Sequence, residues 1–579
     1  MSRFRPMLIG VLILAAALSF ANAAEKELPP MKLGVVRREP VAAIFWNDKL
    51  AVIACAKSGT LIFWNIERGE IEQEFQVGRG LRGVARFDDE QLLAIDDKSH
   101  ELILLKYVDR KLTELARAAV PAYPVSVIAW EDFNVGPTAA VASLWSRQVS
   151  YWSRAGRREL SQRGIVELSF EPRQLIPYLT DDSPIALAAF GGRSAVVQSP
   201  LKRAAALGNA EFSSIAFRRR LYGTRQNLDQ KLPLTFDYVS QGSIMQNELL
   251  VGLRQIPLAR EDSCGITHND QNADPAGIAF VNDGILVCLA GADQVWYRSS
   301  LDDEHPQRIP VGKRPRTIIS NDKLAFVLGE LDDTISLIEF KDPERPTVTT
   351  KLLDPALENR ELSPAERGER LFFSAKMSAG GMMTCNTCHP DGHTNGLLAD
   401  TLGDNTHGTP KRVLTLRGTR LTDLWSWNGE MKTLQDNVHK SLRETMHAPE
   451  IKPADVDDIV SFLHTLPPVP PLKPVALDAA DRASVARGEK VFAREGCVNC
   501  HVPPLTFTSH GVFDVGLADE KKLKKFNPPS LRGVGRLKKL FHDNRADSLR
   551  DVFVNFGHQL NGPLSEADLT DLIRYLESL

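Results

Sequence analysis

The chain has 579 residues, which is too many for a single hydrophobic core, so about two to four domains are expected. Hydrophobic residues make up 43% of the sequence and charged residues 25%, as is ordinary for globular proteins. The formal net charge of -3 gives no electrostatic reason to expect a nucleic-acid partner.

The N-terminus has the pattern of a secretory signal peptide over residues 1–23. Arg3 and Arg5 precede a short apolar run, residues 7–20, and Ala-Asn-Ala at 21–23 fits a cleavage site. The run is shorter than the roughly 20 residues that span a bilayer, and an uncleaved anchor is the alternative. We therefore expect an exported, periplasmic protein without a stable membrane span.

Residues 35–355 have the pattern of an all-β domain. Short apolar or alternating runs, such as "LAVIACAKSGTLIFWNI", are separated by turns rich in Gly, Asp and Asn. The runs recur about every 40 to 50 residues, the period of propeller blades, and the length suits about seven blades. Residues 200–245 are irregular and are interpreted as an insertion. No catalytic residues repeat, so a docking or recognition scaffold is favoured over a second active site.

Two C-x-x-C-H motifs follow in the second half of the chain. They are Cys385, Cys388 and His389, and Cys497, Cys500 and His501. This spacing is typical of c-type haem attachment, in which the thiols bond to the haem vinyl groups and the histidine binds the iron. A zinc site would need further ligands at matched spacing, and an oxidising compartment disfavours a free redox dithiol. The motifs therefore predict two covalently bound haems.

Three cysteines lie outside the motifs. Cys264 and Cys288 could pair across a loop, or all three could be small buried apolar residues, the interpretation favoured for Cys55.

The region around the two motifs is an internal duplication. "RGERLFF" at Arg367 returns as "RGEKVFA" at Arg487, and "LTLRGTR", "WNG" and "TLQDNV" have counterparts at a nearly constant offset. Each copy ends in an amphipathic helix. The pattern predicts two tandem all-α cytochrome c domains, residues 360–468 and 481–579. The proline-rich segment 469–480 between them is expected to act as a semi-rigid linker.

Residues 360–579 resemble the bacterial di-haem cytochrome c peroxidase family, which includes the di-haem maturation enzymes of methylamine utilisation. The tandem C-x-x-C-H motifs, the S/T-L-R-G segments and the "WNG…TL" and "FHDN…SL" segments carry this resemblance. The form "CNTCHPDGHTNGL" resembles members fused to an N-terminal YVTN- or WD-like propeller. The resemblance implies reduction of hydrogen peroxide with electrons relayed between two haems.

The chain departs from the family at the distal iron ligands. Family peroxidases carry a methionine, the distal ligand of the electron-transferring haem, where this chain has Phe541. The second iron is therefore expected to be five-coordinate or to take another ligand, with His542, His510 and His558 as candidates. Met446 is the candidate distal metal ligand of the first haem, and the usual roles of the two haems could be exchanged.

The resemblance also implies further site residues. Glu444 is the first acid–base candidate and His439 the second, because "LRETM" lies where the family places its distal glutamate. Trp427 resembles the family tryptophan between the haems. Arg417 and Arg532, in the L-R-G segments, are expected to bind haem propionates, since guanidinium groups pair well with carboxylates.

The sequence supports two functional hypotheses. The first is a peroxidase that takes electrons from a small soluble cytochrome or copper protein, with the propeller for docking or substrate recognition. The second is a non-catalytic di-haem electron-transfer protein with a propeller binding module. Calcium occurs between the haem domains in the family, but the sequence does not place a calcium site.

Overall fold

The computed structural model describes residues 25–579, apart from residues 32–33, 133–134, 157, 181–182, 190–194, 200–201, 207–212, 260–270, 404 and 477. Within residues 178–206 only the backbone is described. The predicted signal peptide and Cys264 lie outside the described residues. In the described part of the chain, no helix is both long and apolar enough to cross a membrane.

The N-terminal half is a seven-bladed β-propeller, as the sequence period predicted. Each blade is a four-stranded antiparallel sheet with its strands in chain order. The blades, numbered 1 to 7, comprise Pro40–Asn47, Leu50–Cys55, Thr60–Asn65 and Glu70–Gln76; Leu81–Arg86, Gln91–Asp96, Glu101–Val108 and Lys111–Ala119; Pro124–Asp132, Gly136–Ser143, Gln148–Gly156 and Glu159–Glu167; Pro172–Thr180, Ser183–Ala189, Ala195–Ser199 and Lys202–Ala206; Ser214–Arg218, Arg220–Leu228, Met245–Val251 and Arg254–Pro257; Pro275–Val281, Gly284–Leu289, Gln294–Arg298 and Gln307–Pro310; and Pro315–Ser320, Leu324–Gly329, Thr334–Glu339 and Thr347–Leu352. Strand Lys26–Leu28 adds a fifth strand to the outer edge of blade 2.

Contacts between the first strands of neighbouring blades close the ring. Each first strand contacts the next one around the axis, and that of blade 1 contacts that of blade 7. At this junction the carboxylate of Asp333 accepts hydrogen bonds from the backbone N–H groups of Arg38 and Glu39, at 2.7 and 2.8 Å. The buried guanidinium of Arg38 also pairs with Glu74. Each blade consists of consecutive strands, so no strand is shared between blades 1 and 7. The hydrogen bonds of Asp333 therefore help to hold the ring closed at this junction.

The second strand of a blade is covered on both faces by neighbouring blades. Leu50–Cys55, Gln91–Asp96 and Gly284–Leu289 are buried at every position. Strands covered on both faces read as continuous apolar runs rather than alternating ones. These runs produced the propeller signal in the sequence.

Blade 5 carries the insertion that connects the propeller to the first helical domain. Residues 229–244 leave the blade between its second and third strands and form the short helix Phe236–Ser240. Leu234 and Val239 share one buried apolar cluster with Phe372 of the helical domain. The insertion is therefore shorter than the 200–245 segment expected from sequence, since strands Ser214–Arg218 and Arg220–Leu228 belong to the blade.

Two helical domains with the same plan follow. The elements of the first are α-helices Pro364–Phe372, Cys385–Cys388, Leu434–Lys440 and Pro453–Leu463, the π-helical turn Ser441–Thr445, the 3-10 turns Pro355–Leu357, Ala375–Met377, Ala379–Gly381, Pro390–Gly392 and Thr419–Leu421, and strands Leu398–Ala399 and Lys411–Arg412. Those of the second are α-helices Ala479–Arg494, Leu549–Val554 and Glu566–Glu577, the 3-10 turns Cys497–Asn499 and Val534–Arg536, and strands Phe513–Asp514 and Lys525–Phe526.

The repeated R-G-E motif brings the first and last helices of each domain together. A Cβ atom on Gly368 would lie 1.8 Å from the carbonyl oxygen of Asp458, and one on Gly488 would lie 2.0 Å from that of Asp571. The arginine before each glycine binds the carboxylate of the same aspartate with two hydrogen bonds. The motif thus encodes a close helix crossing and the ion pair beside it.

Candidate functional site

The first C-x-x-C-H motif lies on the short helix Cys385–Cys388, and His389 ends it. The Nδ1 atom of His389 is 3.2 Å from the carbonyl oxygen of His393. This contact suits an Nδ1–H donor, which leaves the Nε2 lone pair free for a metal. Burial lowers the pKa of His389 to about 4, so the ring is neutral at physiological pH. A neutral imidazole is the form that binds iron.

The second motif repeats this arrangement. Its Cys497–Asn499 segment forms a 3-10 turn, and Nδ1 of His501 is 3.0 Å from the carbonyl oxygen of Phe507. Burial lowers the pKa of His501 to about 4. Both histidines are therefore neutral and oriented by a backbone carbonyl.

One continuous cavity of about 710 Å³ joins the two motifs. Its lining includes both cysteines and the histidine of each motif, and the remaining wall is largely apolar. Other lining residues with a predicted role are Met446, Trp427, Arg417, Arg532, His542 and His558. The structure therefore brings most of the predicted residues into a single space.

The two helical domains meet around Trp427 and its counterpart in the repeat, His542. The N–H of Arg412 donates to the carbonyl of His542 at 2.6 Å, and the matched N–H of Asn527 donates to the carbonyl of Trp427 at 2.7 Å. The centroids of the two rings are 6.3 Å apart in an edge-on arrangement. Reciprocal contacts of this kind are the signature of a two-fold relation between similar units.

Sequence reasoning missed Arg412, a buried arginine beside this junction. Its guanidinium lies over the ring of Trp427 at 5.4 Å, and Nε donates to the carbonyl of Phe541. No carboxylate among the described residues pairs with it, and burial lowers its pKa to about 10. Buried charges are normally paired, so Arg412 fits an anionic group in the cavity. The sequence signal that could have pointed to Arg412 was its position directly before "VLTLRG", a segment that has a counterpart in the second copy.

The two predicted propionate partners differ in their hydrogen bonding. Arg417 has a buried Nε with no partner in the described part of the chain, while Nη1 donates to the carbonyl of Asp391. Arg532 uses Nε and Nη2 on the carbonyls of Leu505 and Pro504. Arg417 thus retains more capacity to bind a carboxylate.

The structure does not bring the acid–base candidates to the cavity. Glu444 lies in the π-helical turn Ser441–Thr445, where its carboxylate pairs with Arg443 at 2.7 Å. His439 is exposed. Both are missing from the cavity lining, whereas Met446 is buried in it with its Sδ atom 3.8 Å from Sγ of Cys385.

The three histidine candidates for the second iron lie in different environments. His510 is exposed and pairs with Asp423. The buried ring of His542 stacks on Phe526 at 4.2 Å, and its Nε2 has no hydrogen-bond partner among the described residues. His558 lines the cavity edge-on to Phe541, with a buried Nδ1 that also lacks a partner within the described chain.

The propeller holds the helix of the first motif through a buried carboxylate, a contact that sequence reasoning missed. Asp274, just before blade 6, accepts hydrogen bonds from the hydroxyls of Thr384 and Thr387 at 2.6 and 3.1 Å. The side-chain amide of Asn386 donates to it at 3.2 Å. Thr384, Asn386 and Thr387 all flank the cysteines, so the propeller fixes the position of this helix.

A second contact places the first motif at the mouth of the propeller channel. The carboxylate of Asp391 lies 2.9 Å from Nη2 of Arg173 in blade 4 and 3.0 Å from Nη2 of Arg314, which precedes blade 7. Because one carboxylate reaches arginines on opposite sides of the ring, it must lie near the axis. Burial opposes ionisation, but the guanidiniums of Arg173, Arg316 and Arg314 outweigh it and lower the pKa of Asp391.

The residues present fit a c-type haem at each motif. The cavity has two thiols and an oriented neutral imidazole at each end, and unpartnered buried polar atoms on Arg417, Trp425, His542 and His558. The unpaired Arg412 adds a partner for a haem carboxylate. Among the described residues, no group of three or more His, Cys, Asp or Glu side chains could hold a further metal ion, so the structure places no calcium site.

Comparison with known proteins returned a family model and a curated relative. Residues 363–470 match the family model of the di-haem cytochrome c peroxidases, so the first helical domain carries this family's domain. The cytochrome c551 peroxidase of Nitrosomonas europaea is 22% identical over 306 residues, covering 44% of this chain and 89% of the relative.

Comparison with solved structures returned several further similarities. A chain of hydrazine synthase from Kuenenia stuttgartiensis is 14% identical, with a TM-score of 0.41, over 55% of this chain and 97% of that one. Virginiamycin B lyase from Staphylococcus aureus is 10% identical, with a TM-score of 0.37, over 53% and 96%.

Proposed function

We propose that the protein is an exported, periplasmic di-haem peroxidase that reduces hydrogen peroxide with electrons passed between its two haem sites. The observation that carries this proposal is the single cavity that joins both C-x-x-C-H motifs and is lined by Trp427 and His542, whose rings meet where the two domains touch. When attached, two haems would supply an iron at which peroxide binds and a second iron that stores an electron.

The residues of the chain would then have distinct roles. His389 and His501 would hold the irons through Nε2, since a backbone carbonyl orients Nδ1 of each ring. Arg412 and Arg417 bind propionates and neutralise their charge. Trp427 lies between the two sites and shortens the gap that an electron must cross. The apolar walls keep bulk water from the reacting oxygen atoms.

The propeller supports the first haem site and presents the rest of its surface for docking. Asp274 and the arginines around Asp391 fix the first motif from the propeller side. The electron donor proposed from the resemblance is a small soluble cytochrome or copper protein. This assignment makes the propeller a scaffold rather than a second active site.

A di-haem electron carrier is the second candidate function, and the position of Met446 favours it. Its Sδ atom lies in the cavity 3.8 Å from Sγ of Cys385, and a methionine that bound the first iron permanently would close that iron to peroxide. If the second iron also held a ligand that never leaves, peroxide would have no site.

Stopped-flow absorbance separates the two functions. The half-reduced holoprotein is mixed with hydrogen peroxide, and the haem bands are followed with reduced cytochrome c as donor. A peroxidase oxidises the reduced haem rapidly and turns over the donor. Low-spin spectra that stay constant over many seconds would leave the carrier function.

A further inference from the structure

Met446 and His558 lie in corresponding loops of the duplicated domains. Each lies between the penultimate and last helices, and each lines the cavity. The N–H of Met446 bonds to the carbonyl of Ser441 as that of Phe556 bonds to Asp551, so His558 lies two residues beyond the position that matches Met446. The fold therefore directs one side chain from this loop toward each motif, a methionine in the first domain and a histidine in the second.

The loop that carries Met446 is tied down on both sides. The carbonyl of Met446 accepts a hydrogen bond from the N–H of Ala379 at 2.8 Å. The ring of the next residue, His447, is 2.9 Å from the carbonyl of Leu234 in the propeller insertion. Met446 itself is only 5% exposed. Removing it from the cavity would break contacts with two other segments, so its position is fixed.

The loop that carries His558 has fewer ties. The N–H of His558 donates to the carbonyl of Val552, in the last turn of helix Leu549–Val554, at 3.2 Å. The amide of Gln559 reaches the carbonyl of Asp514 only at 3.4 Å, and Gly557 and Gln559 are exposed. This loop has no bond to the propeller among the described residues, so His558 can leave the cavity at little cost.

The ring of His558, like that of His542, has a nitrogen without a hydrogen-bond partner among the described residues. It lies edge-on to Phe541, which supplies no ligand atom, with centroids 5.4 Å apart. Its buried Nδ1 has no partner in the described part of the chain. A half-buried imidazole whose Nδ1 has no hydrogen-bond partner among the described residues is well suited to bind iron in this cavity.

We propose that Met446 is a fixed ligand of the first iron and that His558 is an exchangeable ligand of the second. Peroxide therefore binds in the second domain, and the first haem is the electron store. This inference rests on the proposed function for its substrate, but the ligand assignment itself is independent of peroxide. It exchanges the roles that the resemblance implies for the two domains.

Spectroscopy of the ferric holoprotein tests the assignment without using activity. Near-infrared magnetic circular dichroism and electron paramagnetic resonance distinguish His/Met, His/His and high-spin haems. We expect one His/Met and one His/His haem. His558→Ala should make one haem high-spin and keep the His/Met signal, and added imidazole should restore the low spin. Met446→Leu should remove the His/Met signal alone.

Cyanide binding measures the exchange. In His558→Ala the second site should bind cyanide at least about tenfold more tightly, because the wild-type ligand-free fraction is small. His510→Ala, a change at an exposed histidine, is the control and should behave as the wild type. His558→Met keeps a ligand and should convert the His/His signal to His/Met, which tests the position should the alanine variant fail to fold.

The proposal is wrong if His558→Ala leaves both haems low-spin, or if His542→Ala rather than His558→Ala produces the high-spin haem. Turnover of reduced cytochrome c with peroxide is measured separately on the same samples. Ligand exchange without turnover would reject the peroxidase and retain His558. Turnover together with ligation that His558→Ala leaves unchanged would retain the peroxidase and reject His558 as a ligand.

Discussion

At the residue scale, Trp427 and His542 show how a duplicated sequence acquires two different halves. The two residues occupy equivalent positions, and each backbone carbonyl accepts a hydrogen bond from the other domain. The indole N–H of Trp427 donates to the carbonyl of Arg412 at 2.8 Å, whereas Nε2 of His542 has no hydrogen-bond partner in the described chain and lies 3.8 Å from Oδ2 of Asp543. The tryptophan is thus held rigidly at the boundary between the haem sites.

Replacing the indole should slow electron exchange between the two sites. Trp427→Phe keeps one aromatic ring but loses the hydrogen bond to the carbonyl of Arg412 and the second ring of the indole. We expect exchange to slow about tenfold, equivalent to about 1.4 kcal/mol of barrier. The measurement is flash photolysis of the half-reduced, carbon monoxide-treated protein.

Trp425→Phe is the matched control, because Trp425 lines the same cavity but packs in the core of the first domain. Equal rates for Trp427→Phe and the wild type would show that electrons do not pass through the indole.

The C-x-x-C-H residues could be proposed from sequence because the chemistry that they would support is local. Two thioether bonds and an iron ligand need a fixed short spacing, and any fold must preserve it. Residues that depend on loop direction could not be predicted. Glu444 is close in sequence to Met446, but the π-helical turn directs it to Arg443 and Met446 to the cavity. Its catalytic role stays a prediction that the geometry does not favour.

At the element scale, the helix crossing at the R-G-E motif explains a repeat that the haem chemistry does not need. Alanine normally stabilises a helix relative to glycine by about 1 kcal/mol. At Gly488 the added methyl group would overlap the backbone of Asp571 and force helices Ala479–Arg494 and Glu566–Glu577 apart.

Gly488→Ala should therefore destabilise the second domain by about 1–3 kcal/mol, as overpacking does. Urea unfolding followed by haem absorbance measures the change. Gly562→Ala is the control, since a Cβ there meets no atom within 4 Å. A Gly488→Ala variant as stable as the wild type would show that the crossing can widen freely.

Blades could be predicted from sequence because each is a meander of neighbouring strands, so its pattern is contained in a short window. The bounds of the insertion were wrong because an arginine-rich hairpin resembles a loop in sequence. Arg218 and Arg220 pair at the turn between the first two strands of blade 5, where Arg218 is half-buried and Arg220 is exposed. Composition alone does not distinguish such a turn from an irregular segment.

At the scale of the whole molecule, Arg536 connects the propeller, the linker and the second domain. Its side chain is 2% exposed and donates to the carbonyls of Trp145 in the propeller and of Pro470 and Pro471 in the linker. It also pairs with Glu171 at 3.2 Å. These partners lie up to 391 residues away in sequence, so no local pattern could have revealed the contact.

Arg536→Ala should loosen this junction at a cost of about 1–3 kcal/mol, because the buried carbonyl of Trp145 and the half-buried carbonyls of Pro470 and Pro471 lose their donor. Glu171 would keep its pair with Arg147 at 2.7 Å. We expect faster proteolysis of the proline-rich linker and a lower unfolding temperature. Arg494→Ala, which removes an exposed pair in the same domain, should change neither property. Unchanged cleavage of the linker in Arg536→Ala would contradict the role of the junction.

The placement of the first motif at the propeller mouth has a consequence for biosynthesis. The propeller precedes the motif in the chain, so it can close while the motif is still being synthesised. Once Asp391 has entered the ring of arginines and Asp274 has bound the threonines, the cysteines are held against the propeller. Haem ligation therefore competes in time with docking. Among the described residues, no propeller side chain bonds to the second motif, so a haem could attach there at any stage before the helical domains join.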